Sequence, residues 1–304
     1  MLAVSWGAPF DSDEWLFDAK YDGVRAIVSV DTSGVDVRSR TGNDMTHSYP
    51  ELTALLEVGP GTILDGEIIA YDDLGIPSFE RLQGRMHRSG PSTIPITFLV
   101  FDLLASGGQL RLEEPIEDRI ERLRQIDLPT PCETSLSIVG DGAALYAATA
   151  ERGMEGIVAK RLESRYRPGE RSSDWRKIPH IQRTRAVVGG FTESDGAGAF
   201  GALLLGMWTG DRLRFVGSVG TGFDQAAASA IREALDQITL HASPFVDDQA
   251  IPTASFVFPH LVAEIAFKQW TAAGRLRAPS FKGISDRQTE TVTWEAEGPD
   301  SINH

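Results

Sequence analysis

Lys20-Tyr21-Asp22-Gly23-Val24-Arg25 is the stretch on which the reading of this chain turns. An apolar run, Trp15-Leu16-Phe17, precedes it, and an alternating run, Ala26-Ile27-Val28-Ser29-Val30, follows it. Both flanks have the period of half-buried strands. A Lys-x-Asp-Gly-x-Arg turn joining two such strands sets one amine beside one guanidinium, facing a pocket. Gly23 lets the backbone turn without a Cβ clash, and Asp22 can hydrogen-bond within the turn. Two readings follow. Either Lys20 is a nucleophile with Arg25 as its phosphate clamp, or the hexamer is a surface hairpin with an ordinary Lys–Asp pair. A lysine of ordinary pKa, ~10.4, is almost wholly protonated at pH 7, so a nucleophilic Lys20 needs nearby cations or a desolvated pocket.

Around this stretch the pattern predicts strands over 15–18, 26–30, Val35–Ser39 and 63–71, with a short helix over Pro50–Val58 begun by proline and closed by glycine. A second helix is expected over Phe79–Met86, with Arg81, Arg85 and Arg88 on one face. A buried strand over 96–104 ends in Phe101-Asp102, helices follow over 116–126 and 143–152, and a strand over 157–160. Past Arg185 the texture changes to short strands over 186–191, 202–208 and 213–219, a helix over 225–238 and a strand over 261–270, which suits a small oligonucleotide-binding barrel.

Other residues can carry chemistry. Arg38 and Arg40 offer guanidinium groups at a strand end, for bidentate phosphate contact or as part of a plain turn. Leu64-Asp65-Gly66-Glu67 puts acid into an apolar strand, which is costly unless the acid meets a hydroxyl, a metal or a cation such as an arginine at the core edge. Phe98 and Phe101 can stack on a base or fill a core. Glu155, opening Glu155-Gly156-Ile157-Val158-Ala159-Lys160, suits a hard cation such as Mg²⁺ bound through one or two acids plus substrate phosphate. Lys177 in Asp174-Trp175-Arg176-Lys177 can reach phosphate.

The chain has 304 residues, one cysteine and a net charge of −14, which describes two domains without a disulfide or a cysteine zinc site and argues against indiscriminate nucleic-acid binding. Residues 151–185 hold ten Lys/Arg against five Asp/Glu, either one band steering an anionic polymer or an ordinary solvated face. No apolar run approaches the ~18 residues of a membrane helix, and the first residues do not read as a signal peptide, so the expected setting is the cytoplasm. Gly196–Gly201 matches a dinucleotide fingerprint by letters, but a strand pattern follows it, so it reads as a turn.

Taken in order, Lys20-Tyr-Asp-Gly-Val-Arg25, Ser39-Arg40, Asp65-Gly-Glu67, Phe101-Asp102, Glu155-Gly-Ile-Val-Ala-Lys160 and Trp175-Arg-Lys177 resemble the covalent nucleotidyltransferases, specifically the ATP-dependent DNA ligases. The segments 187–191 and 215–223 look like the compact bacterial ligases of the end-joining type. The resemblance implies an α+β protein: a nucleotidyltransferase domain of antiparallel, ATP-grasp-like sheets over 1–183, then an OB-fold β-barrel over 184–304. It implies that Lys20 takes AMP from ATP, passes it to the 5′-phosphate of a nick, and that the 3′-hydroxyl displaces it. Arg25 and Arg40 contact phosphate and nick, Glu67 ribose or metal, Phe101 adenine, Glu155 metal (Mg²⁺ or Mn²⁺) and Lys177 the α-phosphate, with Lys160 beside the nucleotide. Arg277, Lys282 and Arg287 form the closing motif.

Two places depart from the family pattern. Pro179 stands where a second lysine is usual, and Ser285-Asp286-Arg287-Gln288 replaces an Arg-x-Asp-Lys, so self-adenylylation is slow or Arg275, Arg287 or Lys282 substitutes. Lys20 comes early, so no separate DNA-binding domain is expected before it. Nicked DNA is the expected partner, on the bacterial nucleoid, with end-binding or polymerase repair proteins. An RNA ligase, a GTP-using capping enzyme and an impaired nucleic-acid scaffold are the alternatives.

Overall fold

The two strands that flank residues 20–25 do not pair with each other. In the computed structural model, which describes residues 1–73, 75–86, 92–194, 196, 198–246, 253–271 and 273–299, they belong to different sheets. Ser12–Ala19 lies in a five-stranded sheet ordered Leu2–Ser5, Arg171–Pro179, Gly156–Arg161, Ser12–Ala19, Ser137–Gly140. Val24–Val30 lies in a second sheet ordered Val35–Ser39, Val24–Val30, Thr62–Ile69, Thr97–Ser106, Gln109–Leu110, with Cys132–Thr134 parallel to Thr97–Ser106. The expected hairpin is therefore a crossover between sheets. Gly23 is needed for a close approach rather than a turn, because a Cβ there would stand 2.3 Å from the Ile68 carbonyl oxygen.

Pairing register gives the first sheet two different faces. Lys160 lies between Leu16 and Trp175, and Val158 between Asp18 and Lys177, and these share one face. The other face buries Trp15, Phe17, Ile157, Ala159 and Ile178 with Leu145 and Tyr146 of the helix Gly142–Glu151. The larger core joins Val28, Leu64, Ile68 and Phe98 of the second sheet to Leu52, Leu55, Ile116, Ile120 and Leu123. Each such fully buried side chain stabilises by roughly 1.5–3 kcal/mol.

The predicted helix Pro50–Val58 is a 3₁₀ helix: Leu52 and Leu55, both buried, lie three apart, and three residues per turn puts them on one line. Phe79–Met86 is helical, but its arginines do not share a basic face. Arg81 is exposed and pairs with Asp73, whereas Arg85 is buried against Glu51 and the Ser48 carbonyl, and Arg88 lies outside the described residues.

The described residues divide into two compact units, Met1–His180 and Ile181–His304. The second has a sheet ordered Arg212–Val219, Ala202–Thr209, Gln182–Thr192, Ala254–Phe267, Thr239–Leu240, with Ser280–Ser285 also on Ala254–Phe267 and a helix Gln225–Asp236 capped by Asp224. Its core includes Val187, Phe191, Leu203, Leu205, Val216, Leu235, Ile265 and Phe281. Ala254–Phe267 begins before the expected 261 because Phe258-Pro259-His260 sits in an irregularity, where Val188 pairs with Leu261 but Gly190 with Phe256. The described part of 196–201 is irregular and leads into the strand Ala202–Thr209, so no dinucleotide turn-to-helix forms there. No helix among the described residues is long and apolar enough to cross a membrane.

The cations of 151–185 are largely met by groups from elsewhere. Lys160 pairs with Asp18, Arg161 with Glu14, Arg165 and Arg167 with Glu113, and Arg185 with Glu297. Arg176 stacks over Trp6 and Trp15 at 3.8 and 4.2 Å.

Candidate active site

Lys20 follows directly on Ser12–Ala19, and its backbone N–H donates to the Gly156 carbonyl at 2.8 Å. Its ammonium forms an ion pair with Glu155, in which the lysine side chain is 23% exposed and the glutamate 6%. Glu155 owes its place to Gly156. That residue has φ +134°, and a Cβ on it would stand 2.3 Å from the Ile178 carbonyl oxygen, so only glycine lets the chain enter the sheet there.

From the second sheet come Arg25 and Glu67, directly paired in register. Arg25 donates Nε to Asp65 Oδ1 at 2.9 Å and Nη2 to Oδ2 at 2.6 Å, and Nη1 to the Met1 carbonyl at 2.7 Å. Burial alone would lower the arginine pKa, but the Asp65 carboxylate outweighs it and holds the guanidinium charge more firmly than usual. Asp65 is thus the acid that pairs with an arginine. Glu67 is different: burial pushes its carboxyl up to about 8, against the pull of Lys20 and Arg25, with Asp65 and Glu155 adding to the rise. Lys20, Arg25, Asp65, Glu67 and Glu155 therefore share one electrostatic neighbourhood.

Phe101 is the unpaired residue of a β-bulge, since Asp65 pairs with Asp102 but Gly66 with Val100. A bulge re-aims a side chain, and the ring is half-buried, with the Lys160 ammonium over it at 4.3 Å and the Arg25 guanidinium at 5.4 Å. Phe98 in the same strand is wholly buried in the core. Lys160 is itself 2% exposed, bonded to Asp18 at 2.5 Å and to the Phe101 carbonyl at 3.2 Å, so its charge is used inside the unit. Lys177 is half-buried, on the face that carries Trp175.

Arg40 is exposed beyond the edge strand Val35–Ser39, while Arg38 is held by Asp36 and Asp44. Within the second unit, Arg277 ends the short strand Leu276–Arg277 and Arg287 is exposed. Lys282, on Ser280–Ser285, lines a recess with Arg183, Arg185, Glu264 and Glu297. Phe281 beside it is buried and stacks on Phe223 at 4.3 Å. Arg275 lies over the Phe215 ring at 4.7 Å. At the family departure, the Pro179 carbonyl accepts the Tyr146 hydroxyl at 3.3 Å.

Sequence reading passed over three buried groups near the site: Asp18, Arg119, which clasps the Asp102 of the Phe101-Asp102 motif bidentately at 2.8 Å, and Tyr166. Asp18 alone had a usable signal, an acid at the end of an apolar run. Among the described residues no group of three or more histidine, cysteine or acidic side chains gathers as a metal cage.

A lysine held on a carboxylate between two sheets, followed by an OB-fold region, is the architecture of a nucleotidyltransferase domain joined to a barrel. Residues 1–178 match the family described as ATP dependent DNA ligase domain and residues 196–288 its C terminal region, and the chain belongs to the ATP-dependent DNA ligases. It is 36% identical to the multifunctional non-homologous end joining DNA repair protein LigD of Mycobacterium tuberculosis, over 95% of this chain and 38% of LigD. The LigD of Pseudomonas aeruginosa is 33% identical over 93% of this chain and 35% of that protein. The chain thus spans less than two-fifths of these relatives. A solved structure described as mycobacterial DNA ligase D complexed with ATP and MES is 34% identical, with 96% of both chains covered and a TM-score of 0.56.

Proposed function

We propose that this chain seals nicks in duplex DNA with ATP through a Lys20-AMP intermediate. The observation that carries the reading is the partly exposed Lys20 amine held on Glu155 beside Glu67 and Arg25. Lys20 Nζ bonds to the α-phosphorus as the α–β bridge breaks, pyrophosphate leaves and the lysine proton is lost; AMP passes to the nick 5′-phosphate and the 3′-hydroxyl displaces it. Such transfers depend chiefly on position and neutralised charge. Arg25, preset by Asp65, holds phosphate; Phe101 stacks on adenine, with Lys160 fixing it through its carbonyl and ring; Lys177 faces the α-phosphate. Arg40, and Arg277, Lys282 and Arg287 from the barrel, serve the nick and the closing step. Residues 1–183 act as the adenylylating domain and 184–304 as the barrel.

The donor set also fits a hard divalent cation. Glu67 and Glu155 are oxygen donors of like charge, each making the other's ionisation less favourable, and Mg²⁺ or Mn²⁺ needs only one or two carboxylates plus substrate phosphate. When bound, the ion neutralises phosphate charge. The likeness to LigD favours repair in a bacterial cytoplasm, on the nucleoid, alongside end-binding or polymerase partners. Incubation with α-labelled ATP should give an acid-stable adduct in the wild type and none in Lys20→Ala, and nicked duplexes with DNA or RNA 3′ strands, with GTP as the competing nucleotide, set the substrate. No adduct and no sealing of pre-adenylated nicks would instead make the chain a scaffold, the reading that Pro179 and 285–288 prompt.

A further inference from the structure

Behind Arg25 stands a residue outside all the motifs. Tyr166, in the segment between Gly156–Arg161 and Arg171–Pro179, is 4% exposed. Its hydroxyl donates to Asp65 Oδ2 at 2.8 Å, the oxygen that also accepts from Arg25 Nη2, and Arg25 Nη2 lies 3.4 Å from the tyrosine oxygen. The segment is anchored from below. Tyr166 N–H donates to the Leu112 carbonyl at 2.9 Å, and Arg119 donates to the Ser164 carbonyl at 3.2 Å while lying over the Tyr166 ring at 5.9 Å. Trp175 meets the same ring edge to face at 6.0 Å. Packing among these groups asks only for an aromatic ring, and phenylalanine would fill the space. The hydroxyl does something else. Arg25 is tied on its far side to the Met1 carbonyl, and the Tyr166 hydroxyl, a third donor to the Asp65 carboxylate, ties the other side and so fixes the plane of the carboxylate and with it that of Arg25.

We infer that Tyr166 is a positioning residue for Arg25, acting through Asp65. The inference rests on the nick-sealing reading and assigns the phosphate that Arg25 holds to the nick, so Tyr166 serves AMP transfer to DNA more than the loading of Lys20. Single-turnover kinetics on the full chain separate the two steps. Tyr166→Phe slows transfer from preloaded Lys20-AMP to a nicked duplex by about tenfold, the scale of one buried hydrogen bond, with at most a threefold loss in loading. Asp65→Asn gives the same selective loss, and Arg25→Lys combined with Tyr166→Phe is no slower in transfer than Arg25→Lys alone. An unchanged transfer rate, equal losses in both steps, or full additivity with Arg25→Lys overturns the assignment. A wild type that never forms the Lys20 adduct overturns the nick-sealing reading and this inference together, and is recognised before any variant is compared.

Discussion

Two lysine–carboxylate pairs cross between the same neighbouring strands with opposite polarity. Lys20, at the end of Ser12–Ala19, reaches Glu155, just before Gly156–Arg161; Asp18 on the first strand reaches Lys160 on the second. The lysine is 23% exposed in one pair and 2% in the other. Lys160 is further enclosed by the Phe101 carbonyl and the rings of Phe101 and Trp175, the latter at 4.7 Å. A buried pair cannot release one partner without leaving an uncompensated charge. A partly exposed pair can exchange its partner for another ion. The same kind of lysine–carboxylate pair thus leaves one amine open and makes the other a closed strut, and exposure separates them.

The largest effect that tests this contrast is chemical. Lys20→Ala should cut the acid-stable AMP adduct by about 10⁴-fold or more, whereas a comparable adduct on Lys160 would erase the distinction. Lys160→Ala should instead lower the unfolding free energy by about 3–5 kcal/mol, read by urea titration, because it strands Asp18 in the interior; an unaltered midpoint would show that the strut bears nothing. Glu155→Gln should raise the Mg²⁺ concentration needed for half-maximal adduct formation by about tenfold, and Asp18→Asn should not.

The smallest effect concerns Glu67, which lies close to the open pair. Its folded pKa, about 8, stands above the ordinary 4.5, so between these values the unfolded chain has released a proton that the folded chain keeps. Stability on this account is fully present below about 4.5 and is lost as pH rises through about 8. Without divalent ions, the wild-type Tm should fall by about 2–4 °C more than that of Glu67→Gln between pH 5 and pH 8; parallel curves would remove Glu67 from the buried group.

Much of this was legible beforehand for physical reasons that act locally. Alternation located Val35–Ser39 and put Lys20 at a strand end, and the apolar surroundings of Glu67 marked it as an acid out of place. The strand Arg171–Pro179 was not legible, since Arg-Ser-Ser-Asp-Trp-Arg-Lys carries no apolar period; it is extended because Leu2–Ser5 and Gly156–Arg161 lie on either side to pair with it. Tyr166 was hidden for a related reason. Amid Ser164-Arg165-Tyr166-Arg167-Pro168-Gly169 it resembles part of a charged turn, and its partner Asp65 is 101 residues away.

By itself, then, the sequence determined which side chains stand at strand ends and which acids sit among apolar neighbours, because each follows from a period of two. Only the tertiary structure decided that the flanks of residues 20–25 join different sheets, that a bulge turns Phe101 toward the site, and which lysine stays open. A period of two tells which face a residue takes and is silent on the strand beside it, and ion pairs formed across 135 or 142 residues, as between Lys20 and Glu155 or Asp18 and Lys160, leave no mark on the local pattern.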